Sequence, residues 1–323
     1  MIVAQSPLRI GFFGGGTDIP EVYRRISGAV LSVTIDKFIY VVVKDRFDDQ
    51  IRVAYTRTET VADIDEVRHD LVREALRLTG VGRGIELATF ADIPSEGTGL
   101  GSSSAVTVGL LNALHAYRGE AVGAAQLAQE ACAIELGRLE RPIGVQDQYA
   151  SAFGGLRHMV FEPDGAVHCH RVDVGLDVLR RLDERLLLFY TGISRSASAV
   201  LEDQAAKVGH NLDTLGEMRR QAELGEALLL QGSLDDFGRL LHEAWCLKRS
   251  LSTRISTDEI ERMYGLAREA GALGGKVTGA GGGGFLLVYC PGERQAALRA
   301  ALADYRELPF RLWGAGSRIL YQL

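Results

Sequence analysis

Cysteine is scarce in this 323-residue chain: Cys132, Cys169, Cys246 and Cys290 stand far apart, with no CxxC pair. That spacing excludes a clustered zinc motif and a disulfide framework, and it fits a reducing, cytoplasmic setting. Long apolar runs are missing too. Phe38–Val43 and Phe285–Cys290 have strand length, well short of the roughly 18 residues that span a bilayer, so no membrane partner is expected. The opening MIVAQSPLRIGFF places an arginine inside its short apolar segment, with no small-residue cleavage site behind it, which argues against secretion. Positive charge is not in excess, since 36 Lys and Arg face 42 Asp and Glu for a net charge of -6. Nucleic-acid binding by bulk charge is therefore not expected, and any anion site must be local. Proline is rare, at 7 residues, and nothing repeats as Gly-X-Y, so the 38 glycines signal neither collagen nor Pro/Gly-rich disorder. They call for a local explanation.

At about 150 residues per domain the length predicts two domains. Residues 29–47 and 84–91 mix alternation with β-branched side chains and read as strands, with helical spacing over 63–78 between them. Helices are predicted over 102–117 and 123–139, and a strand pair over 157–162 and 167–174 turning at Pro163-Asp-Gly165. The second half reads as a strand at 185–190, helices over 197–230, 234–250 and 257–270, a strand at 285–290, a helix after Pro291, and strands near 308–313 and 318–322. Strands and helices do not alternate strictly, so the fold class is α+β, with domains 1–180 and 181–323.

Three glycine clusters mark the chain. The second, Gly97-Thr-Gly99-Leu100-Gly101-Ser102-Ser103-Ser104, follows a strand and opens a helix. Glycines let backbone amides approach a ligand closely, and the helix N-terminus adds partial positive charge, which together suit a phosphate chain. Walker A is excluded because no Gly-Lys-Ser/Thr follows, and the spacing GxGxG is not the dinucleotide fingerprint. The first cluster is Gly14-Gly15-Gly16-Thr17-Asp18, and the third is Gly279-Ala-Gly281-Gly282-Gly-Gly284.

These three motifs, in this order, resemble those of the GHMP kinases, the galacto-, homoserine, mevalonate and phosphomevalonate kinases: Pro7-Leu-Arg9 through Asp18, Pro94 through Ala105, and Lys276 through Gly284. The resemblance spans about residues 4–323. It implies an N-terminal domain like the second domain of ribosomal protein S5, a ferredoxin-like C-terminal domain, and ATP-dependent phosphorylation of a small-molecule hydroxyl. It also implies roles. Gly97, Gly99, Leu100, Gly101, Ser102, Ser103 and Ser104 would hold the triphosphate, Ser103 and Glu135 would bind Mg²⁺, and Asp147, twelve residues after Glu135, would accept or orient the acceptor proton. Arg9 would stabilise the ionised hydroxyl. Gly15, Gly16, Thr17, Asp18, Gly281 and Gly282 would face the sugar.

Galactokinases carry Gly-Glu-His-Thr-Asp where this chain has Gly14-Gly-Gly-Thr-Asp18, so two galactose-binding side chains are missing. The finer resemblance is to the heptose 7-phosphate kinases of the family, in SPLRIGFFGGGTDIP, IGVQDQYASAFGG, YTGISRSAS and EAWCLKRSLS. That implies an anomeric hydroxyl as acceptor and a distal phosphate that needs local cations, for which Arg195, Lys248, Arg249 and Arg254 are candidates. The alternatives are a fucokinase-like enzyme acting on an unphosphorylated sugar and a non-catalytic sugar or nucleotide sensor on the same fold. A homodimer is left open. His168-Cys-His170 puts two imidazoles on one strand face, as metal ligands can be, but no third ligand is evident and the pair reads as structural.

Overall fold

The computed structural model describes residues 1–93, 97–193 and 197–323; Pro94, Ser95 and Glu96 of the second glycine motif, and the cation candidate Arg195, lie outside the described residues. The chain runs β1 (Ile2–Phe13), α1 (Pro20–Ile26), β2 (Gly28–Asp45), β3 (Ile51–Ala54), β4 (Thr58–Val61), α2 (Asp70–Thr79) and β5 (Ile85–Ala91). Helices α3 (Ser102–Tyr117), α4 (Ala124–Cys132) and α5 (Gln146–Phe153) follow, then β6 (Leu156–Phe161), β7 (Val167–Arg171), α6 (Leu176–Arg185) and β8 (Leu186–Tyr190). Four helices come next: α7 (Ala197–Ala206), α8 (Val208–Leu230), α9 (Leu234–Ser250) and α10 (Asp258–Glu269). The remainder is β9 (Gly274–Val277), β10 (Phe285–Tyr289), α11 (Gln295–Ala301), β11 (Leu312–Trp313) and β12 (Arg318–Gln322).

The large sheet is organised on β2, whose β-branched and apolar sequence is buried through its first half. It pairs antiparallel with β1 along nearly its whole length, with β6 through Gly28–Val33 and with β5 through Ile39–Asp45. Strand β12 returns from the end of the chain to the far edge of β1, so the order is β12-β1-β2-β5-β3-β4. A second, antiparallel sheet has the order β8-β10-β9. Helix α3 is apolar almost all round, and every residue in it except Ser103 and Tyr117 is buried. That is the pattern of a helix enclosed by other layers. It packs on β1 and β2 and is covered by α2, α4 and α5. A separate core forms where Leu187, Phe189, Leu286 and Val288 of the small sheet meet Trp245, Ile260 and Met263 of α9 and α10.

Three helices differ from expectation. The spacing over 63–78 splits, because Asp63 accepts the Asp65 amide at 3.0 Å and closes one isolated turn before His69 caps α2. The stretch 197–230 breaks at Lys207 into α7 and α8. After α4 the chain continues as a π-helix, Ala133–Arg138, a form that concentrates at functional sites. Strand β1 itself was not anticipated, since polar Gln5, Ser6 and Arg9 interrupt its apolar pattern.

Candidate active site

Proline is poorly tolerated in a central strand because it removes a ladder donor, and at Pro7 the register of β1 on β2 shifts. Just past that irregularity stands Arg9, only 5% exposed. Its backbone amide donates to Leu100 O at 3.0 Å, which hangs the second glycine loop on β1. Its side chain forks onto Asp147 in the first turn of α5, Nε to Oδ1 at 2.7 Å and Nη2 to Oδ2 at 2.6 Å, while Nη1 donates to Gly99 O at 2.7 Å. A bidentate charged pair of this kind fixes the carboxylate in angle as well as distance. One arginine therefore ties a carboxylate to the second glycine loop.

The loop ends in Gly101, the N-cap of α3, and the residues from Gly101 to Ser104 line the cavity. The third glycine cluster closes on it backbone to backbone. Gly99 and Gly279 both have positive φ, +70° and +65°, and a Cβ on Gly279 would lie 2.6 Å from Gly99 Cα. Only glycine combines that conformation with that approach.

Glu135, in the π-helix, is fully buried behind α3. It accepts from Ser104 Oγ at 2.7 Å, Thr107 Oγ1 at 3.1 Å, Ser103 Oγ at 3.2 Å and the Gln148 side-chain amide. Burial pushes its carboxyl up, and these donors together with Arg141 oppose the rise. Arg141 Nη1 sits 3.8 Å from Glu135 Oε1 and donates to Ser103 Oγ at 2.7 Å, while Nη2 pairs with Asp70 at 2.8 Å. A buried carboxylate and a hydroxyl, both hard oxygens already facing a cation, fit a divalent ion such as Mg²⁺.

Opposite Asp147 the first glycine turn presents Asp18, which is 2% exposed. It accepts from Gly16 N at 2.9 Å and Gln146 Nε2 at 3.0 Å. Gly144 passes so close that a Cβ there would fall 1.8 Å from Asp18 Oδ2. Burial raises the Asp18 carboxyl, an effect its amide donors oppose. Two buried lysines complete the wall. Lys248 donates to Gly279 O and Lys276 to Phe12 O at 3.0 Å, and among the described residues neither forms an ion pair. Burial pushes Lys248 down to about 8 and Lys276 well below the ordinary lysine range; Arg9 adds to both effects and the Asp18 carboxylate only partly opposes them.

These groups line one cavity with about 220 Å³ open to water. It gathers Arg9, Asp147, Gly97, Gly99, Gly101, Ser102, Ser103, Ser104, Gly15, Gly16, Asp18, Gly281 and Lys248 from the sequence expectations. Glu135 lies behind Ser103 and Ser104, and Leu100 offers its carbonyl to β1. Thr17 stands elsewhere: its buried hydroxyl contacts Gly14 O at 2.8 Å and accepts from Ala29 N at 3.0 Å, holding the turn itself together. The Gly282 amide is spent on Ile255 O at 2.7 Å. Arg249 turns away to Glu261 and lies over the Trp245 ring at 5.7 Å, and exposed Arg254 is also outside the lining. Sequence reasoning missed Arg141, Gln146, Gln204 and Lys276 as lining residues. Lys276, the first residue of the third motif, and Gln146, inside IGVQDQYASAFGG, stood within stretches the sequence already marked.

Fold and cavity together define a small-molecule kinase, and comparison with known proteins gives its family. Residues 67–155 match the GHMP kinases N terminal domain and residues 226–307 the GHMP kinases C terminal domain. The D-glycero-alpha-D-manno-heptose 7-phosphate kinase of Campylobacter jejuni subsp. jejuni serotype O:2 is 30% identical over 315 residues, covering 93% of each chain. The chain belongs to the GHMP kinases and is an ATP-dependent sugar kinase of that family. Other relatives include the L-fucokinase/L-fucose-1-P guanylyltransferase of Bacteroides fragilis, 28% identical over 93% of this chain but only 35% of that one. In fold it is similar to a D-glycero-D-manno-heptose 1-phosphate kinase of Bacteroides thetaiotaomicron, with a TM-score of 0.84, 22% identity and both chains fully covered. No helix among the described residues is long and apolar enough to cross a membrane.

Proposed function

We propose that the protein transfers the γ-phosphoryl group of ATP to the anomeric hydroxyl of D-glycero-D-manno-heptose 7-phosphate, giving the 1,7-bisphosphate, in the cytoplasm. The observation that carries the phosphorylated substrate is the pair of buried lysines, Lys248 and Lys276, which face the cavity and form no ion pair among the described residues. Burying a cation is costly unless something compensates, and an anionic substrate supplies that compensation. The relative from Campylobacter jejuni supports the same reading.

In this reading the sugar lies between Asp18 and Asp147, and the triphosphate over the amides at the start of α3. Phosphoryl transfer asks the protein for alignment and charge neutralisation. Asp147, held at both oxygens by Arg9, takes the proton of the acceptor hydroxyl as its oxygen bonds to the γ-phosphorus and the bond to the β,γ-bridging oxygen breaks, releasing ADP. Arg9 carries the same guanidinium to Gly99 O, so acceptor and donor are positioned by one side chain. Bound Mg²⁺ would be held by Ser103 and Glu135 and would neutralise phosphate charge. Arg141 would then hand over that position and turn its guanidinium to the phosphates.

The test is a substrate panel with Mg-ATP: the heptose 7-phosphate, the free heptose, L-fucose and galactose, with the product identified by phosphorus NMR. The reading expects the heptose 1,7-bisphosphate to accumulate selectively. Preferred turnover of an unphosphorylated sugar would overturn it in favour of a fucokinase-like enzyme, and no turnover of any sugar would overturn the catalytic assignment.

A further inference from the structure

The three-residue stretch His168-Cys-His170 lies on β7, and only one of its imidazoles has company. Strand β6 runs antiparallel beside it with His158 directly opposite His170. The two rings stand edge to face with centroids 5.1 Å apart. Helix α8, from the other half of the chain, brings Glu226 onto the pair: Oε2 lies 2.6 Å from His158 Nδ1 and Oε1 lies 2.8 Å from His170 Nε2. One donor atom from each residue falls within 4.8 Å of both others. The placement of α8 is tight, because Gly225, the neighbour of Glu226, presses against Phe13, whose ring a Cβ would meet at 2.5 Å.

We propose that His158, His170 and Glu226 form a site for a single Zn²⁺ ion that clamps the β6–β7 hairpin to α8. Two imidazole nitrogens and a carboxylate are a zinc ligand set, and nitrogen donors select against Mg²⁺ and Ca²⁺. His158 gives the independent sign of a missing partner. It is 5% exposed with Nδ1 2.6 Å from Glu226 Oε2, and its Nε2 has no hydrogen-bond partner among the described residues. Leaving that nitrogen unsatisfied inside the protein is costly. His170 is 52% exposed, so the site opens to solvent on one side, where water completes a four-coordinate shell. The ion would lie outside the cavity described above, none of whose lining residues it uses.

The experiment uses the full chain, stripped with a chelator, and Zn²⁺ alone as the probe. Calorimetric titration and metal analysis after gel filtration should give one zinc per chain at sub-micromolar affinity, with Mg²⁺ in excess failing to compete. His170→Ala removes an exposed ring and should not disturb folding; it and Glu226→Gln should each weaken zinc binding at least about 10-fold, and circular dichroism reports whether they fold. Wild-type protein that retains no zinc overturns the proposal, as does equal zinc affinity in wild type and the His170→Ala variant.

Discussion

Lys248→Met separates what the cavity lysine does for the fold from what it does for the substrate. Burial pushes this lysine from 10.5 down to about 8. The unfolded chain therefore binds the proton more tightly than the fold does, carries more protons between about pH 8 and 10.5, and stability rises with pH across that window. At about 1.4 kcal/mol per pKa unit, holding the charge in the fold costs about 3 kcal/mol at pH 7, of which roughly half remains at pH 9.5. Methionine keeps the length of the side chain and removes the charge, but it leaves Gly279 O without its donor, a loss of about 1–3 kcal/mol. The two terms nearly offset one another at pH 7, so the informative quantity is the difference between pH values. Denaturant unfolding of both proteins should show the wild type gaining about 2 kcal/mol on the variant between pH 7 and 9.5. Turnover of a phosphorylated sugar should fall roughly 10- to 100-fold in kcat/KM, the worth of one charged hydrogen bond. A stability difference that stays constant across this pH range would refute the claim that the fold carries a strained cation.

Asp147→Asn keeps the shape of the carboxylate and removes the base; kcat should drop roughly 1,000-fold, while titration with a non-hydrolysable ATP analogue still shows binding, and wild-type turnover would remove Asp147 from the mechanism. Binding of a sugar phosphate at pH 8 should draw protons from solution, because an anion raises both cavity lysines and Lys248 is close to half charged there. Calorimetry in buffers of different ionisation enthalpy measures this, and proton release would contradict it. Gly279→Ala forces a Cβ against Gly99 in a left-handed backbone, at about 1–2 kcal/mol for the conformation alone. It should raise the KM for ATP more than that for the sugar, and an unchanged KM for ATP would mean the two loops are not coupled.

The glycine loops and their order could be seen in the sequence because close backbone approach leaves no choice of residue. The strand that carries Arg9 could not, since Gln5, Ser6 and Pro7 break its apolar pattern. Their polarity is absorbed by partners far away in the chain, as when Ser6 Oγ donates to Ser317 Oγ at 2.8 Å. Lys248 and Arg249 are adjacent and chemically alike, so only the rotation of α9, about 100° per residue, decides that one enters the cavity and the other meets Glu261. Arg141 was hidden for a related reason: nothing local distinguishes a loop arginine that reaches Ser103, 38 positions away, from one in solvent. The His168–His170 spacing drew attention to β7, but nothing local shows that the ring meeting His170 is His158, across the hairpin.

The backbone contact between Gly99 and Gly279 also bears on synthesis. A nascent chain that has emerged only as far as α9 already contains Arg9, Asp147 and the loop before α3, yet it lacks the segment against which that loop is seated. If that loop holds the triphosphate as proposed, nucleotide capture would be a late event, available once residues 274–289 have been added and paired with β8. On that reading a half-made chain on the ribosome would not retain ATP, and binding to immobilised ATP would sort finished molecules from arrested ones.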